Sequence, residues 1–277
     1  MTSLEFFKKW SGFLGQLITW RDGSEHYYTV CSKNSVDHNS KFVQDASRIF
    51  HSFITFDLIE HMNREGLHVC AEVISLQDQI HGSPVKKEVP VITVIGKQRN
   101  GEFPTFLTHR STIEFCRLHN LPCDSSIRIE GRENCDAFLE QLTDARDLMD
   151  NASMDALITG CVVEKMEGTV DHADVLGNCL EGLVLHLTCD SGENVIRKYK
   201  FPRYTIRTML FRTQFQKLRD FDEKAEISRF VDFWVVRPDM RQYWSDYAMS
   251  GFCKYREGFR SLDPLIGDHI ALAEEMK

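Results

Sequence analysis

The sequence predicts an α+β protein: a body of strands and flanking helices to about residue 203, then a small helical unit over 204–277. Three observations predict this. The first forty residues hold two runs rich in β-branched and aromatic residues, joined by turn chemistry. Short apolar strands then alternate with segments of helical periodicity. After Tyr204 the strand pattern stops and helical spacing takes over, with Pro238 and Pro264 as interruptions.

GFLGQLITW and EHYYTVCS read as a hairpin, because Arg21-Asp-Gly-Ser24 supplies the turn. From about Phe42 to Arg64, apolar residues recur at three- and four-residue steps (Phe42, Ala46, Ile49, Phe50, Phe53, Ile54, Leu58), which predicts a helix ended by Glu65-Gly66. LHVCAEVIS is a short apolar strand carrying one carboxylate, Glu72, and VPVITVIGKQ is another, with a turn at Arg99-Asn-Gly101. Thr108 to His119 and Cys135 to Asn151 read as helices. EGLVLHLTCD and NVIRKYKF are two further strands, joined at Ser191-Gly192.

Composition bounds the function. A chain of 277 residues buries a substantial core, and its 42% hydrophobic and 27% charged content is that of a globular protein. No apolar run approaches the ~18–20 residues of a membrane span, and the N-terminus lacks the pattern of a cleaved leader. Nine cysteines lie without CxxC pairs or Cys/His ligand spacing, the nearest two being Cys116 and Cys123, which points to reduced thiols in an intracellular compartment. The net charge of −8 argues against nonspecific coating of nucleic acid. The charge is uneven, however. Residues 196–260 carry 15 Lys and Arg against 8 Asp and Glu, a segment charge of +7 that leaves −15 on the rest and suits a local polyanion site.

Several ionisable residues stand where core strands prefer apolar ones. Lys9 precedes a turn at Gly12, Glu72 lies inside VCAEVIS, and Glu181 opens EGLVLHL directly before a glycine. Lys198 and Lys200, two apart in VIRKYKF, project from one face of their strand. Singly, each suits a solvated surface. In this order, Lys9-Trp-Ser-Gly12, Glu72, Glu181-Gly-Leu-Val184 and Lys198-Tyr-Lys200 resemble the covalent nucleotidyltransferase superfamily of polynucleotide ligases and RNA capping enzymes. Cys31-Ser-Lys-Asn-Ser35 and the run from Arg197 to Arg212 are similar to elements of its RNA ligase branch, that of phage RNA ligase and fungal tRNA ligase. Ser11 departs from the pattern, standing where relatives usually carry Asp or Asn.

The resemblance implies the nucleotidyltransferase fold, with ATP-grasp-like antiparallel sheets and flanking helices over residues 1–203. It implies ATP as substrate, with magnesium or manganese. Lys9 is then the nucleophile that forms lysyl-AMP, with Lys198 and Lys200 as catalytic partners. An unperturbed lysine is protonated at neutral pH, so cationic neighbours and desolvation favour the attacking free amine. The same two lysines neutralise phosphate charge, Glu181 supports the metal, Glu72 accepts from the ribose hydroxyls, and Gly12 lets the backbone turn close to the nucleotide. Lys33, Arg203, Arg207 and Arg212 are candidate contacts to RNA phosphates or pyrophosphate. Phe103 and Phe115 are candidates for an adenine platform.

The activity so implied is the joining of RNA 5′-phosphate and 3′-hydroxyl ends through lysyl-AMP and RNA-adenylate. Two alternatives stand beside it. A DNA ligase or capping guanylyltransferase usually carries a C-terminal OB barrel, whereas this C-terminal segment has helical periodicity. A catalytically silent RNA-binding module of the same fold is the other.

Overall fold

The computed structural model describes residues 2–77, 85–98, 105–161, 163–189, 194–202, 204–205, 208, 223–235 and 237–256. Ser3–Lys9 forms β1, and Phe13–Asp22 and Glu25–Ser32 form β2 and β3. The expected hairpin is present, with Asp22 paired to Glu25 around a two-residue turn. Gly23 takes φ +59°, a conformation that favours glycine.

The single helix expected from Phe42 to Arg64 is two, α1 (Lys41–His51) and α2 (Phe56–Glu65). Thr55 starts the second by accepting a hydrogen bond from the Leu58 amide at 3.2 Å. The apolar spacing runs through the break because Phe53 and Ile54 pack against the same core. Gly66, at φ 68°, ends α2. The chain continues through β4 (Leu67–Ile74), β5 (Val89–Lys97), the short β6 (Thr105–Phe106) and α3 (His109–Leu118), capped by Thr108.

β7 (Ser126–Glu130), unread in the sequence, leads into α4 (Arg132–Ala145). The expected helix from Cys135 to Asn151 stops at Ala145, and a 3₁₀ turn over Arg146–Leu148 follows. Asp150 then caps a new helix, α5 (Asn151–Thr159), by accepting from the Ser153 amide at 2.8 Å. β8 (Glu164–Met166), the five-residue α6 (His172–Leu176), β9 (Gly182–Thr188) and β10 (Asn194–Lys200) complete this part of the chain. The turns expected at Arg99–Gly101 and Ser191–Gly192 lie outside the described residues.

The strands form two five-stranded antiparallel sheets, ordered β10-β9-β1-β7-β8 and β3-β2-β4-β5-β6. Each packs one face on helices. Leu4, Phe6, Ile127, Leu183 and Leu185 of the first sheet meet Phe138 and Leu142 of α4. Leu17, Val69, Ala71 and Val73 of the second meet Ile49 and Phe50 of α1 and Leu58 and Met62 of α2. Burying side chains of this size stabilises the fold by roughly 1.5–3 kcal/mol each.

The described part beyond Thr208 is helical, as expected: α7 (Glu223–Trp234) and α8 (Pro238–Arg256). Ile227, Val231, Val235, Trp244 and Ala248 make their shared core. Pro238 begins α8 rather than interrupting a helix, because the first helical position needs no amide donor. Pro264 lies outside the described residues.

Candidate active site

Alternation along β1 separates its two terminal lysines. Lys8 reaches Asp155 of α5 at 2.7 Å. Lys9, one residue on, points to the other face of the sheet. There it ends a three-strand row, since Lys9 pairs with Gly182 of β9 and Gly182 pairs with Lys200 of β10. Gly182 admits no side chain: a Cβ would lie 2.0 Å from the Tyr199 carbonyl oxygen and 2.9 Å from the Lys200 Cα.

Glu181, just before this glycine, has a side chain only 5% exposed, and its Oε1 meets the Lys9 Nζ at 2.7 Å and the Lys200 Nζ at 2.8 Å. One carboxylate between two ammoniums leaves a net positive cluster. The buried Glu181 carboxylate is paired on both sides, the condition under which a buried charge is tolerated.

The Trp10-Ser11-Gly12 turn joins the two sheets, and each of its residues is held differently. The Gly12 amide donates to Glu72 Oε1 at 3.0 Å. A Cβ on Gly12 would stand 2.4 Å from the Val73 carbonyl oxygen, so glycine is required for this approach to β4. Buried Ser11 shares a 2.7 Å hydrogen bond with the Tyr204 hydroxyl. The Tyr204 ring in turn lies 6.0 Å from the Lys200 ammonium, at the outer limit of a cation–π contact. Burial pushes the Tyr204 phenol well above its ordinary value.

Trp10 is 2% exposed and donates its indole N–H to Asp124 Oδ2 at 3.0 Å. Burial pushes the Asp124 carboxyl up to about 7. The His172 ring stands 4.5 Å from Trp10, and burial, with the Lys8 charge adding to it, lowers this imidazole to about 3.

The structure thus brings Lys9, Lys200 and Glu181 together and bonds Glu72 to Gly12. Lys33 is exposed on the turn after β3, and its amide donates to the Leu14 carbonyl at 3.1 Å. Leu14 pairs with Glu72, so Lys33, Leu14 and Glu72 lie in one row across the second sheet. Lys198 shares a face with Lys200 but is exposed one pair further along, opposite Val184. Among the described residues it forms no ion pair with Glu181.

Phe115 belongs to the core beneath the second sheet, against His61 and His119, and does not reach the site. Phe103, Arg203, Arg207 and Arg212 lie outside the described residues. Sequence reading missed Asp124 and Tyr204. Trp10 carried a signal for the first, since a buried indole N–H needs an acceptor. Nothing in the sequence pointed to which acceptor.

Lys9 and Lys200 suit the phosphates of a nucleotide, whose oxygens compete with Glu181 for the same two ammoniums. Among the described residues no group of three or more His, Cys, Asp or Glu side chains is placed to hold a metal ion. Glu181, the carboxylate between the two ammoniums, is the kind of group magnesium takes alongside substrate phosphates. No described helix is long and apolar enough to cross a membrane.

No family model matches the chain, and no curated protein does. Several solved structures are similar to it. An archaeal ATP-dependent RNA ligase is 12% identical at a TM-score of 0.44, over 99% of this chain and 58% of that one. A lysine-to-alanine variant of a Naegleria gruberi RNA ligase, with ATP and Mn, is 12% identical at 0.40, over 75% of this chain and 51% of that one. A candidate ATP-dependent DNA ligase from Aquifex aeolicus is 13% identical at 0.39, over 100% of this chain and 60% of that one. The chain spans between half and three-fifths of the length of these ligases.

Proposed function

We propose that this chain is an ATP-dependent RNA ligase of the covalent nucleotidyltransferase type, with an adenylation domain over 1–203 and a helical domain over 204–277. The observation that carries the reading is the convergence of Lys9 and Lys200 on Glu181, beside a glycine turn held by Glu72. Lysines from opposite ends of this α+β body, meeting over one buried carboxylate, form a site for a polyanion with a nucleophile inside it.

In the first step the Lys9 amine attacks the α-phosphorus of ATP. The N–P bond forms, the bond to pyrophosphate breaks, and the amine gives up a proton. Lys200 offsets the charge that gathers on the phosphate oxygens, and Lys198, exposed on the same face, extends that field toward the leaving pyrophosphate. A magnesium ion supported by Glu181 would add Lewis-acid polarisation of the phosphate. Glu72, besides holding Gly12, has acceptor capacity for a ribose hydroxyl.

In the second step an oxygen of an RNA 5′-phosphate takes the AMP, and Lys9 regains its proton. A 3′-hydroxyl then attacks the activated phosphate, forming the phosphodiester and releasing AMP. Lys33 is assigned to an RNA phosphate.

Incubation with magnesium and ATP labelled on the α-phosphate, followed by a denaturing gel and intact mass, tests the reading. A covalent AMP adduct absent from Lys9→Ala is expected. Absence of any adduct in the wild-type chain would leave the silent RNA-binding module.

A further inference from the structure

The second sheet presents one face to α1 and α2; the other is buried where Ile74, Val89 and Val91 meet Trp10, Val175 and Leu176, and carries half-exposed and exposed side chains along β2. On β2 that open face holds Leu14, Gln16, Ile18 and Trp20. Its far end is aromatic. Trp20 and Tyr27 sit directly opposite each other, 46% and 43% exposed, with ring centroids 5.7 Å apart and planes 14° apart. Phe106, 68% exposed, pairs with Gly96 on the same face, where a Cβ would come within 3.7 Å of its ring. The opposite end of this face is the Lys33–Leu14–Glu72 row. Trp20 stands six residue steps beyond Leu14 on β2, about 20 Å at the rise of a strand.

We propose that this face is a stacking platform for single-stranded RNA, whose unpaired bases lie on Trp20, Tyr27 and Phe106 while its end reaches the Lys9 site. The identity of the strand rests on the ligase reading above; the platform itself rests on the sheet. Exposed aromatic rings on an open sheet face stack unpaired bases and tolerate any sequence, because every base has a π-face. His68 pairs with Gly96 beside Phe106, and Gln16 pairs with Cys70, so polar side chains break up the apolar Ile18, Cys70 and Val94 of this face, unlike the continuous apolar centre of a protein interface. The face is also continuous with the row that carries Glu72 and the exposed Lys33.

The experiment is fluorescence anisotropy of an end-labelled, unstructured 12-nucleotide RNA bearing a 5′-phosphate. It compares wild type, Trp20→Ala, Tyr27→Ala and Phe106→Ala, each checked by circular dichroism and melting. Each substitution is expected to weaken binding about tenfold, as loss of one base–aromatic stack does, and the same RNA annealed to its complement is expected to bind less well. Unchanged affinity in folded variants would overturn the platform. So would a wild-type dimer that Trp20→Ala dissociates in sedimentation, which would make the face a contact between copies. Loss of RNA binding in the variants, with no AMP adduct in the wild-type chain, would support the platform and remove the ligase reading. Adduct formation with RNA binding indifferent to these rings would do the reverse.

Discussion

Ser11 and Tyr204, 193 residues apart in the chain, share a buried 2.7 Å hydrogen bond between their hydroxyls. It ties the lysine turn to the segment just beyond β10. Ser11→Ala and Tyr204→Phe are each expected to lower stability by about 1–2 kcal/mol, because each removes this partner from a buried hydroxyl. The double variant is expected to cost less than the sum of the two. Urea midpoints of the four proteins measure the coupling, and strict additivity would mean that the bond contributes nothing.

Lys8 and Lys9 make an internal control for the proposed nucleophile. Lys8 pairs with Asp155 on the opposite face of β1 from Glu181. Lys8→Ala is expected to keep forming the AMP adduct and Lys9→Ala to lose it entirely. An adduct that survives in Lys9→Ala, mapped by peptide mass to another lysine, would remove the assignment.

Asp124 predicts a pH effect on stability. Its carboxyl is held near 7 in the folded chain by burial, against an ordinary value of 3.8. Between these values the folded state keeps a proton that the unfolded state has lost, so stability falls as pH rises from about 4 to about 7. His172, lowered to about 3, acts in the opposite direction: its contribution is lost as pH falls below the ordinary 6.5. Asp124→Asn removes only the first effect. Relative to wild type, the variant is expected to gain stability steadily from pH 4 to pH 7, read from denaturation midpoints across that range. A pH-independent difference would contradict this.

Gly182→Ala is expected to unpack the site from below. The added Cβ meets backbone at 2.0 Å, so β9 and β10 must separate, at a cost of about 1–3 kcal/mol. Gly160→Ala serves as comparison, since its nearest neighbour would be 3.6 Å away. Differential scanning calorimetry should show a clear drop in Tm for the first and little change for the second.

Local chemistry was legible in the sequence where a signal is contained within a few residues. The hairpin around Gly23, the Gly66 stop and the Thr108 helix start each depend on backbone conformation or a cap that neighbours decide. Helix boundaries hidden inside a continuous apolar spacing were not. Phe53 and Ile54 keep the period through the break between α1 and α2 because both helices lie on one sheet face. The 3₁₀ turn after Ala145 was hidden similarly.

Reading along the chain is enough for the α+β composition, the helical character of the described C-terminal part, and a set of charged residues placed oddly on apolar strands. Only the tertiary structure decided which of them meet. Strand order β10-β9-β1 brings Lys200, Gly182 and Lys9 into one row. Two-residue alternation then points Lys9 to Glu181 and Lys8 away from it. Asp124 and Tyr204 entered the site because a buried indole and a buried hydroxyl require partners, and those came from distant parts of the chain. Periodicity is a property of neighbours in sequence. A charge cluster is a property of neighbours in space, set by which strands hydrogen-bond and in what register.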